Sequence, residues 1–430
     1  MPGADSDSEV RRVNGPMPES LATSAGMQPP AGELQTTRVR RESELEPFCE
    51  AWRQLAGDVP TRSPQWLLVW WRFYRQEGDE LCVLLFFQPD GTLVGLAPLY
   101  LAAAGGSRSV CLLGSGDAST NHTTWISTPG WEERVAVAVA RFLMAAGGEW
   151  QRVWLESADV GDPALNATVH ELARHGYLVC STPRHNTWQI ALPPSWEEYL
   201  NLLSRIHRKR CRKWQQLLDS GRVVIHQVRA AAEFPRGFEI LLQLHGARWG
   251  EPGRPQGCFS DPQFREFHEA AARELLRHDQ LLLVWLELDG RPVAVEYQFA
   301  DRTTAYSYQA GMDPSIEEFS PGNLSILAAI RDAIAKGRSS FDLSRGDQPY
   351  KSTWRATPTP CRDIRIWPGG SAGRLEHAGW VLRNSAERAR MRAVTWLKAR
   401  LPSQLVERGR RMLSRLSGKR RSPRKAGDPE

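Results

Sequence analysis

The chain has few of the features that mark disulfide-rich, zinc-binding or membrane-spanning proteins. Its 7 cysteines are odd in number, scattered and never arranged as Cys-x-x-Cys, which argues against a disulfide framework and a zinc site. The longest apolar runs, such as LLLVWLEL at 281–288, are far too short for a membrane-spanning helix. We therefore expect a protein of the reducing cytoplasm that binds no metal.

Several common catalytic fingerprints and an export signal are also missing. The sequence contains no Gly-x-Ser-x-Gly, His-Glu-x-x-His or Walker loop, which argues against serine hydrolase, zinc protease and ATPase activities. The first residues, MPGADSDSEV, carry acids rather than a basic segment followed by an apolar one, so they do not resemble a secretory signal.

Positive charge is concentrated near the end of the sequence. Between Val381 and Lys425, 15 Lys and Arg accompany 2 Glu, a net charge of +13. Because the whole chain carries +6, the remainder carries about −7. We predict a basic, helix-prone tail over 371–430, which is either a solvated surface helix or a peripheral contact with the anionic inner membrane surface. No base-reading motif accompanies the charge, so specific nucleic-acid binding is not expected.

Composition and periodicity divide the chain into four segments. Residues 1–40 are rich in Ser, Gly, Pro and Glu, and we expect them to be disordered. Two mixed helix-and-strand units follow at 41–194 and 195–370, and the tail completes the chain. The order of helices and strands is similar in the two units, which predicts a doubled α/β (α+β) fold with mixed sheets flanked by helices. The second unit opens with a long helical stretch that carries a capping-box pattern at Ser195 and Glu198.

One helix entrance in the second unit has the composition of an anion site. In FSPGNLSILAAI, 319–330, Pro-Gly begins a helix whose first N–H groups and dipole favour negative charge, which would place Ser320, Gly322 and Asn323 beside a phosphate. The preceding strand ends in YQAGMD, where Gly311 would let another molecule come close. A simple helix cap is the alternative interpretation.

The segment FDLSRGDQPYKSTW, 341–354, places acids, bases and aromatics directly after a strand. Asp342 could deprotonate an amine if burial raised its pKa, and Lys351 could stabilise an oxyanion. Arg345 could hold a phosphate or carboxylate through two contacts. The competing interpretation is an Asp342–Arg345 ion pair, with Lys351 pointing to water. Glu296, in the strand VAVEYQF, is a second candidate base.

These motifs resemble the C-terminal signature of GNAT-related acyltransferases of the CelD-like or BioF-like family. That signature has a Tyr shortly before a Gly, a Pro-Gly helix start, a Gly before Phe-Asp-Phe, and then Arg-Gly and Tyr-Lys-x-x-Trp. The matching positions here are Tyr308, Gly311, Pro321, Gly322, Gly337, Phe341, Asp342, Arg345, Gly346, Tyr350, Lys351 and Trp354. The resemblance covers residues 45–370, with further matches such as GTLVGLAPLY in the first unit.

The resemblance implies a tandem GNAT fold, similar to the Fem peptidoglycan aminoacyl transferases, whose second unit binds an acyl-CoA, with acetyl-CoA as the expected donor. By the same resemblance, Lys351 stabilises the acyl-transfer intermediate. The resulting candidates are catalytic Lys351, Asp342, Glu296 and Tyr350; donor-binding Gly311, Ser320, Gly322, Asn323 and Arg345; and acceptor-binding Arg208, Arg248, Trp249 and Trp354.

We accordingly expect an acyltransferase that acts on an amine or hydroxyl of a small or saccharide-linked acceptor, in exopolysaccharide or cell-envelope biosynthesis. Two alternatives stay open: a Fem-like transferase that uses aminoacyl-tRNA, and a non-catalytic component of a polysaccharide synthesis complex. The usual GNAT pyrophosphate loop, Arg/Gln-x-x-Gly-x-Gly/Ala, is not present, so the donor follows from the resemblance rather than from a motif.

Overall fold

The computed structural model describes residues 33–57, 59–118, 120–316 and 319–400. The chain divides after Pro368 into two compact units, a sheet-containing unit that holds both predicted halves and a C-terminal unit. The described part of the C-terminal unit is helical from Ser371 to Arg400 (α11), which covers the start of the basic tail. Contact of this tail with a membrane stays a prediction. None of the described helices has the length and apolar character needed to cross a bilayer.

The first half of the sheet-containing unit begins earlier than the sequence suggested. Strand β1 (Gln35–Val39) lies within the segment 1–40 that was predicted to be disordered, so that prediction is wrong for these residues, while 1–32 lie outside the described chain. The remaining strands are β2 (Glu80–Phe87), β3 (Leu93–Ala104), β4 (Ser107–Leu112), β5 (Ile126–Ser127), β6 (Arg152–Asp159) and β7 (Leu178–Ala191). The helices are α1 (Cys49–Leu55), α2 (Pro64–Tyr74), α3 (Glu132–Ala145) and α4 (Pro163–Arg174).

The second half repeats this order of elements. Its helices are α5 (Trp196–Leu202), α6 (Arg205–Asp219), α7 (Phe234–Trp249), α8 (Pro262–Arg277), α9 (Pro321–Ala335) and α10 (Tyr350–Thr353). Its strands are β8 (Val223–Gln227), β9 (Leu281–Leu288), β10 (Arg291–Ala300), β11 (Thr304–Met312), β12 (Ser340–Arg345) and β13 (Thr357–Trp367). The long helical stretch predicted after Ser195 is two helices, because Leu203 is extended and Ser204 caps a new helix by accepting from His207 N–H.

One 13-stranded sheet runs through both halves, in the order β1-β2-β3-β4-β6-β13-β7-β12-β11-β10-β9-β8, with β5 beside β3. Each half contributes four antiparallel strands followed by one parallel pair, β4 with β6 and β11 with β12. The last strand of each half is exchanged, since β7 pairs with β12 and β13 pairs with β6. The sheet is therefore continuous across the predicted boundary at residues 194 and 195.

The two halves also share a hydrophobic core. Trp66 of α2 is fully buried and packs edge-on against Phe267, Phe299 and Tyr308 of the second half, with ring centroids 5.0–5.6 Å apart. Buried aromatic side chains of this size remove large apolar areas from water. The exchanged strands and this aromatic cluster fix one half against the other, which positions the site described next.

Candidate active site

The parallel strands β11 and β12 separate after three pairs of residues. Their register runs from Thr304↔Ser340 to Tyr306↔Asp342, and beyond it the strands diverge. A bulge on β11 accompanies the divergence, because Tyr297 of β10 faces Gln309 whereas the next residue of β10 faces Ser307. Ser344 Oγ donates to the Ser307 carbonyl at 2.5 Å and holds the base of the opening together.

The space between the diverging strands is a cleft of about 460 Å³, here called the β11–β12 cleft. Residues 307–310 and 343–345 line it from the two strands. Helix α7 contributes His245, Arg248 and Trp249, and Tyr350 and Lys351 follow β12. The Arg248 guanidinium lies 4.6 Å from the Trp249 ring centre, and Trp249 Nε1–H donates to the Ala310 carbonyl at 3.2 Å. Both predicted acceptor-binding residues of α7 are therefore at the cleft.

Lys351 lies at the cleft but is almost fully buried. Its Nζ donates to the carbonyls of Leu343, Ser344 and Arg345 at 2.8–3.0 Å, so each of its three N–H groups has a backbone partner. Burial lowers its pKa to about 8, against the raising effect of Asp342. In this geometry Lys351 donates to the main-chain carbonyls at the end of β12, and all three of its N–H groups are engaged, which leaves none to bind an oxyanion. Its predicted catalytic role stays a prediction.

Asp342 belongs to a buried ion cluster that joins the two halves. His122 Nε2 lies 2.9 Å from Asp342 Oδ2, and His122 Nδ1 lies 2.8 Å from Asp159 Oδ2 on β6. Although burial opposes the charge, these two hydrogen bonds raise the pKa of His122 to about 10, so both ring nitrogens donate. The second Asp342 oxygen accepts from Ser344 N–H at 2.5 Å. The Asp342 carboxylate thus pairs with His122, where the sequence suggested Arg345.

Glu296 is the other predicted base and is also enclosed. Its Oε1 accepts from Ser325 Oγ at 2.6 Å, and its Oε2 accepts from Gln298 and Ser307 at 3.3 Å each. Burial raises its pKa, against the lowering effect of these hydrogen bonds. Since Ser307 lines the cleft and Glu296 does not, the carboxylate reaches the cleft only through that hydroxyl.

A second pocket, of about 590 Å³, lies at the start of α9 and is here called the α9 pocket. Phe319, Ser320 and Asn323 line it from α9 and the segment before it, and Arg210 lines it from α6. Ser320 has a left-handed backbone, with φ 51°, and its carbonyl accepts from Asn323 N–H. Tyr350 lines both this pocket and the β11–β12 cleft, and burial raises its pKa to about 12.

Three predicted site residues have other roles in the structure. A Cβ on Gly311 would lie 2.3 Å from His245 N, so this glycine makes room for α7 rather than for a ligand. Trp354 is fully buried and stacks on Trp214 with ring centres 6.1 Å apart, so it is a core residue rather than an acceptor contact. Arg208 folds back and donates to the Asn201 and Leu203 carbonyls.

The remaining predicted donor residues lie close to one of the two pockets. A Cβ on Gly322 would meet Met312 Sδ at 3.2 Å and Arg248 Nη1 at 3.8 Å. Arg345 lines the β11–β12 cleft, where its Nε–H donates to Asn121 Oδ1 at 3.1 Å and its Nη2 donates to the Thr120 carbonyl. Among the residues that the structure describes, no three His, Cys, Asp or Glu side chains form a group that could bind a metal.

Sequence reasoning missed four residues at or beside the cleft. His245 was not among the predicted site residues, and Asn121 and His122 come from a loop of the first half, more than 200 positions before their partners. Cys258 lines the cleft next to His245, from the short 3₁₀ helix Gly257–Ser260. The cluster of His245, Arg248 and Trp249 on one helix was the only available signal.

The repeated topology and the diverging parallel strands define a tandem GNAT fold. Consistent with this class, residues 205–352, which span α6 to the cleft, match the family model of the acetyltransferase (GNAT) domain. The second half therefore contains a GNAT acetyltransferase domain, the domain of N-acyltransferase-type enzymes. No curated protein matches the chain in sequence.

One of three solved structures compared with this chain supports the same fold. FemX aligns with a TM-score of 0.53 at 10% identity, over 78% of this chain and 98% of FemX. L-PGS from Bacillus licheniformis aligns with a TM-score of 0.44 at 12% identity, over 77% and 92% of the two chains. A tandem GNAT protein from the clavulanic acid biosynthesis pathway gives 0.39 at 11% identity, over 79% and 99%. The similarity to FemX shows a common fold, and the two lower scores add nothing to it.

Proposed function

We propose that the protein transfers an acyl group from an acyl-CoA, acetyl-CoA being the simplest donor, to an amine or hydroxyl of a polar acceptor. The observation that carries this proposal is the β11–β12 cleft. Strands that separate after three paired residues leave a slot lined by main chain on both sides, into which an extended pantetheine arm would fit. Holding a thioester and an acceptor side by side in such a slot removes much of the entropic barrier to transfer.

The α9 pocket supports a nucleotide-bearing donor. It lies at the N-terminus of α9, where the helix dipole favours a negatively charged group. Arg210 lines this pocket from α6, a helix whose sequence RIHRKRCRKWQQLLD holds six Lys and Arg residues. Because Tyr350 borders both pockets, a donor with its phosphates at α9 would extend past Tyr350 into the cleft.

The cleft also has features that suit a saccharide acceptor. Trp249 lies at the edge of the cleft, is 49% exposed and offers an aromatic face of the kind on which sugar rings stack. Glu251 and Arg254 line the same region and provide both hydrogen-bond acceptors and donors. The finer assignment to CelD-like enzymes of exopolysaccharide or cell-envelope biosynthesis is part of this proposal and rests on the ordered motif from Tyr308 to Trp354.

Donor binding is the direct test. We expect acetyl-CoA and CoA to raise the thermal unfolding midpoint of the protein. The same measurement with dephospho-CoA, ATP and free pantetheine would separate the contribution of the nucleotide from that of the pantetheine arm. Arg210→Ala should weaken CoA binding roughly tenfold, the value of one charge-assisted contact. Arg212→Ala is the matched control, since Arg212 is exposed on the same helix and does not line the α9 pocket.

Two outcomes would contradict the proposal. If millimolar acetyl-CoA neither binds nor releases CoA in a thiol assay with amino-sugar acceptors, the donor is not an acyl-CoA. Binding of charged tRNA with transfer of its aminoacyl group would then establish the Fem-like alternative instead. Equal loss of affinity in Arg210→Ala and Arg212→Ala would remove the α9 pocket as the nucleotide site.

A further inference from the structure

A thiol and an imidazole face each other at the β11–β12 cleft. Cys258 Sγ lies 3.6 Å from His245 Nε2, and both residues line the cleft. Because sulfur is a large atom, this separation lies within the range of a hydrogen bond between a thiol and an imidazole nitrogen. This pair is therefore close enough to exchange a proton.

The tautomer of His245 follows from its other contact. His245 Nδ1 lies 3.0 Å from the Gln256 carbonyl, which can only accept, so Nδ1 carries the proton. Nε2 then carries no proton and can accept one through its lone pair. Burial lowers the pKa of His245, which keeps the ring neutral. Gln309 Oε1 lies 3.2 Å from Nε2, and a half-turn of this side-chain amide places its N–H there as a donor to the unprotonated nitrogen. The structure thus supplies a neutral base with a third group that fixes its orientation, as a nucleophile–base pair requires.

Glycines bring the thiol to this position. Gly257 has a left-handed backbone, with φ 61°, and a Cβ there would lie 2.7 Å from His245 Cε1. Cβ atoms on Gly246 of α7 and on Gly250, the residue after α7, would lie 2.8 and 2.4 Å from the Pro255 carbonyl oxygen. Three glycines therefore allow the segment before Cys258 to pack directly on α7, over the imidazole. A larger residue at any of them would push Cys258 away from His245.

We propose that Cys258 and His245 form an acyl relay: Cys258 accepts the acyl group from the donor and passes it to the acceptor. This inference rests on the proposed function. In the first step His245 Nε2 takes the thiol proton, Sγ attacks the thioester carbonyl, and the carbon–sulfur bond to CoA breaks. The departing CoA sulfur takes the proton from the imidazolium, so that CoA leaves as the free thiol. One thioester is exchanged for another, so no oxidant or reductant is needed.

The second step reverses these roles. The acceptor amine or hydroxyl attacks the acyl-Cys258 carbonyl while His245 takes its proton, and the proton returns to the departing sulfur. The base is needed in both steps, because burial raises the pKa of the Cys258 thiol to about 11 and keeps it protonated at neutral pH. The relay also accounts for the engagement of Asp342 and Glu296 with other partners, since neither carboxylate has to act as the base.

The relay predicts an acyl-enzyme in the absence of acceptor. After mixing with acetyl-CoA alone and acid quenching, intact-protein mass spectrometry should show one added acetyl group, which peptide mapping should place on Cys258 and neutral hydroxylamine should remove. The chain has seven free thiols, so the other six serve as internal references for chemical acylation. A burst of CoA release should accompany the adduct.

Variants separate the relay from the proposed function. Cys258→Ala should lose the burst and the adduct while still binding CoA in the thermal-shift assay, and His245→Gln should slow the burst at least tenfold. Cys49→Ala, a half-buried thiol outside the cleft, should behave as the parent. Parental rates of CoA release with glucosamine in Cys258→Ala, without an adduct in the parent, would overturn the relay and leave direct acyl transfer standing. Absence of any acyl-CoA binding would overturn both.

Discussion

The charge on His122 offers a quantitative test of the link between the two halves. Its ring lies between Asp159 of β6 and Asp342 of β12, and the side chain is 17% exposed. Burial disfavours the imidazolium, but the hydrogen bonds to both carboxylates outweigh it and raise the pKa from 6.5 to about 10. The folded protein therefore keeps a proton that the unfolded chain releases as the pH rises through 6.5.

The dependence of the unfolding free energy on pH follows from these two pKa values. The stabilisation is fully present below pH 6.5 and is lost as the pH rises toward 10, with a limiting slope of about 1.4 kcal/mol per pH unit. Between pH 6.5 and pH 8 the loss is about 1.6 kcal/mol, because the unfolded chain is still half protonated at pH 6.5. Lys351, whose pKa burial lowers to about 8, acts in the opposite direction, but it does so equally in the parent and in a His122 variant.

Guanidinium titrations from pH 6.5 to pH 8, followed by far-UV circular dichroism and tryptophan fluorescence, would measure this loss. We expect the stability of the parent to fall by about 1.6 kcal/mol more than that of His122→Gln over this range. The variant should also be less stable at pH 6.5, since it leaves two carboxylates facing each other without a counter-charge. His170→Gln, an exposed position on α4, is the control and should follow the parent. Parallel pH profiles for the parent and His122→Gln would refute the buried imidazolium.

Three further substitutions distinguish structural from functional roles. Lys351→Met should lower the unfolding free energy by roughly 3 kcal/mol, because three carbonyls lose their donor; a reduced kcat at an unchanged unfolding midpoint would restore its predicted catalytic role. Gly311→Ala should destabilise the fold by roughly 3 kcal/mol, since its Cβ would overlap His245 N, whereas Gly161→Ala, with open space around its Cβ, should be neutral in the same thermal denaturation assay. Trp249→Ala should raise the KM for the acceptor without changing the unfolding midpoint, and an unchanged KM would remove Trp249 from the acceptor site.

The local pattern of the sequence indicated the three elements that surround the cleft. The sequence predicts a strand, a Pro-Gly helix start and a second strand that contains Asp342, and β11, α9 and β12 follow in this order, with the two strands parallel. Gly311 shows the limit of such reasoning. The sequence indicates that no side chain fits there, but not what fills the space, and the structure shows that α7 does.

Contacts between distant segments could not be predicted from pattern. His122 precedes Asp342 by 220 positions, and nothing in the local sequence indicates that they pair. The direction of Lys351 depends on three carbonyls that become available only where β12 ends. The exchange of β7 and β13 could not be predicted from hydrophobic periodicity, because either strand has the apolar pattern to pair beside β6 or β12.

The exchange explains why the first half is part of the site. Strand β7 is the neighbour of β12 on the side opposite β11, so without it β12 would become an edge strand with unpaired main-chain groups. The same half supplies His122 to Asp342, Asn121 to Arg345, and the Ala118 carbonyl to the Tyr308 hydroxyl. A fragment limited to residues 195–370 would lack both His122, the counter-charge of Asp342, and β7, the strand that pairs with β12. The cleft therefore belongs to the tandem arrangement as a whole, although the second half alone carries the diverging strands.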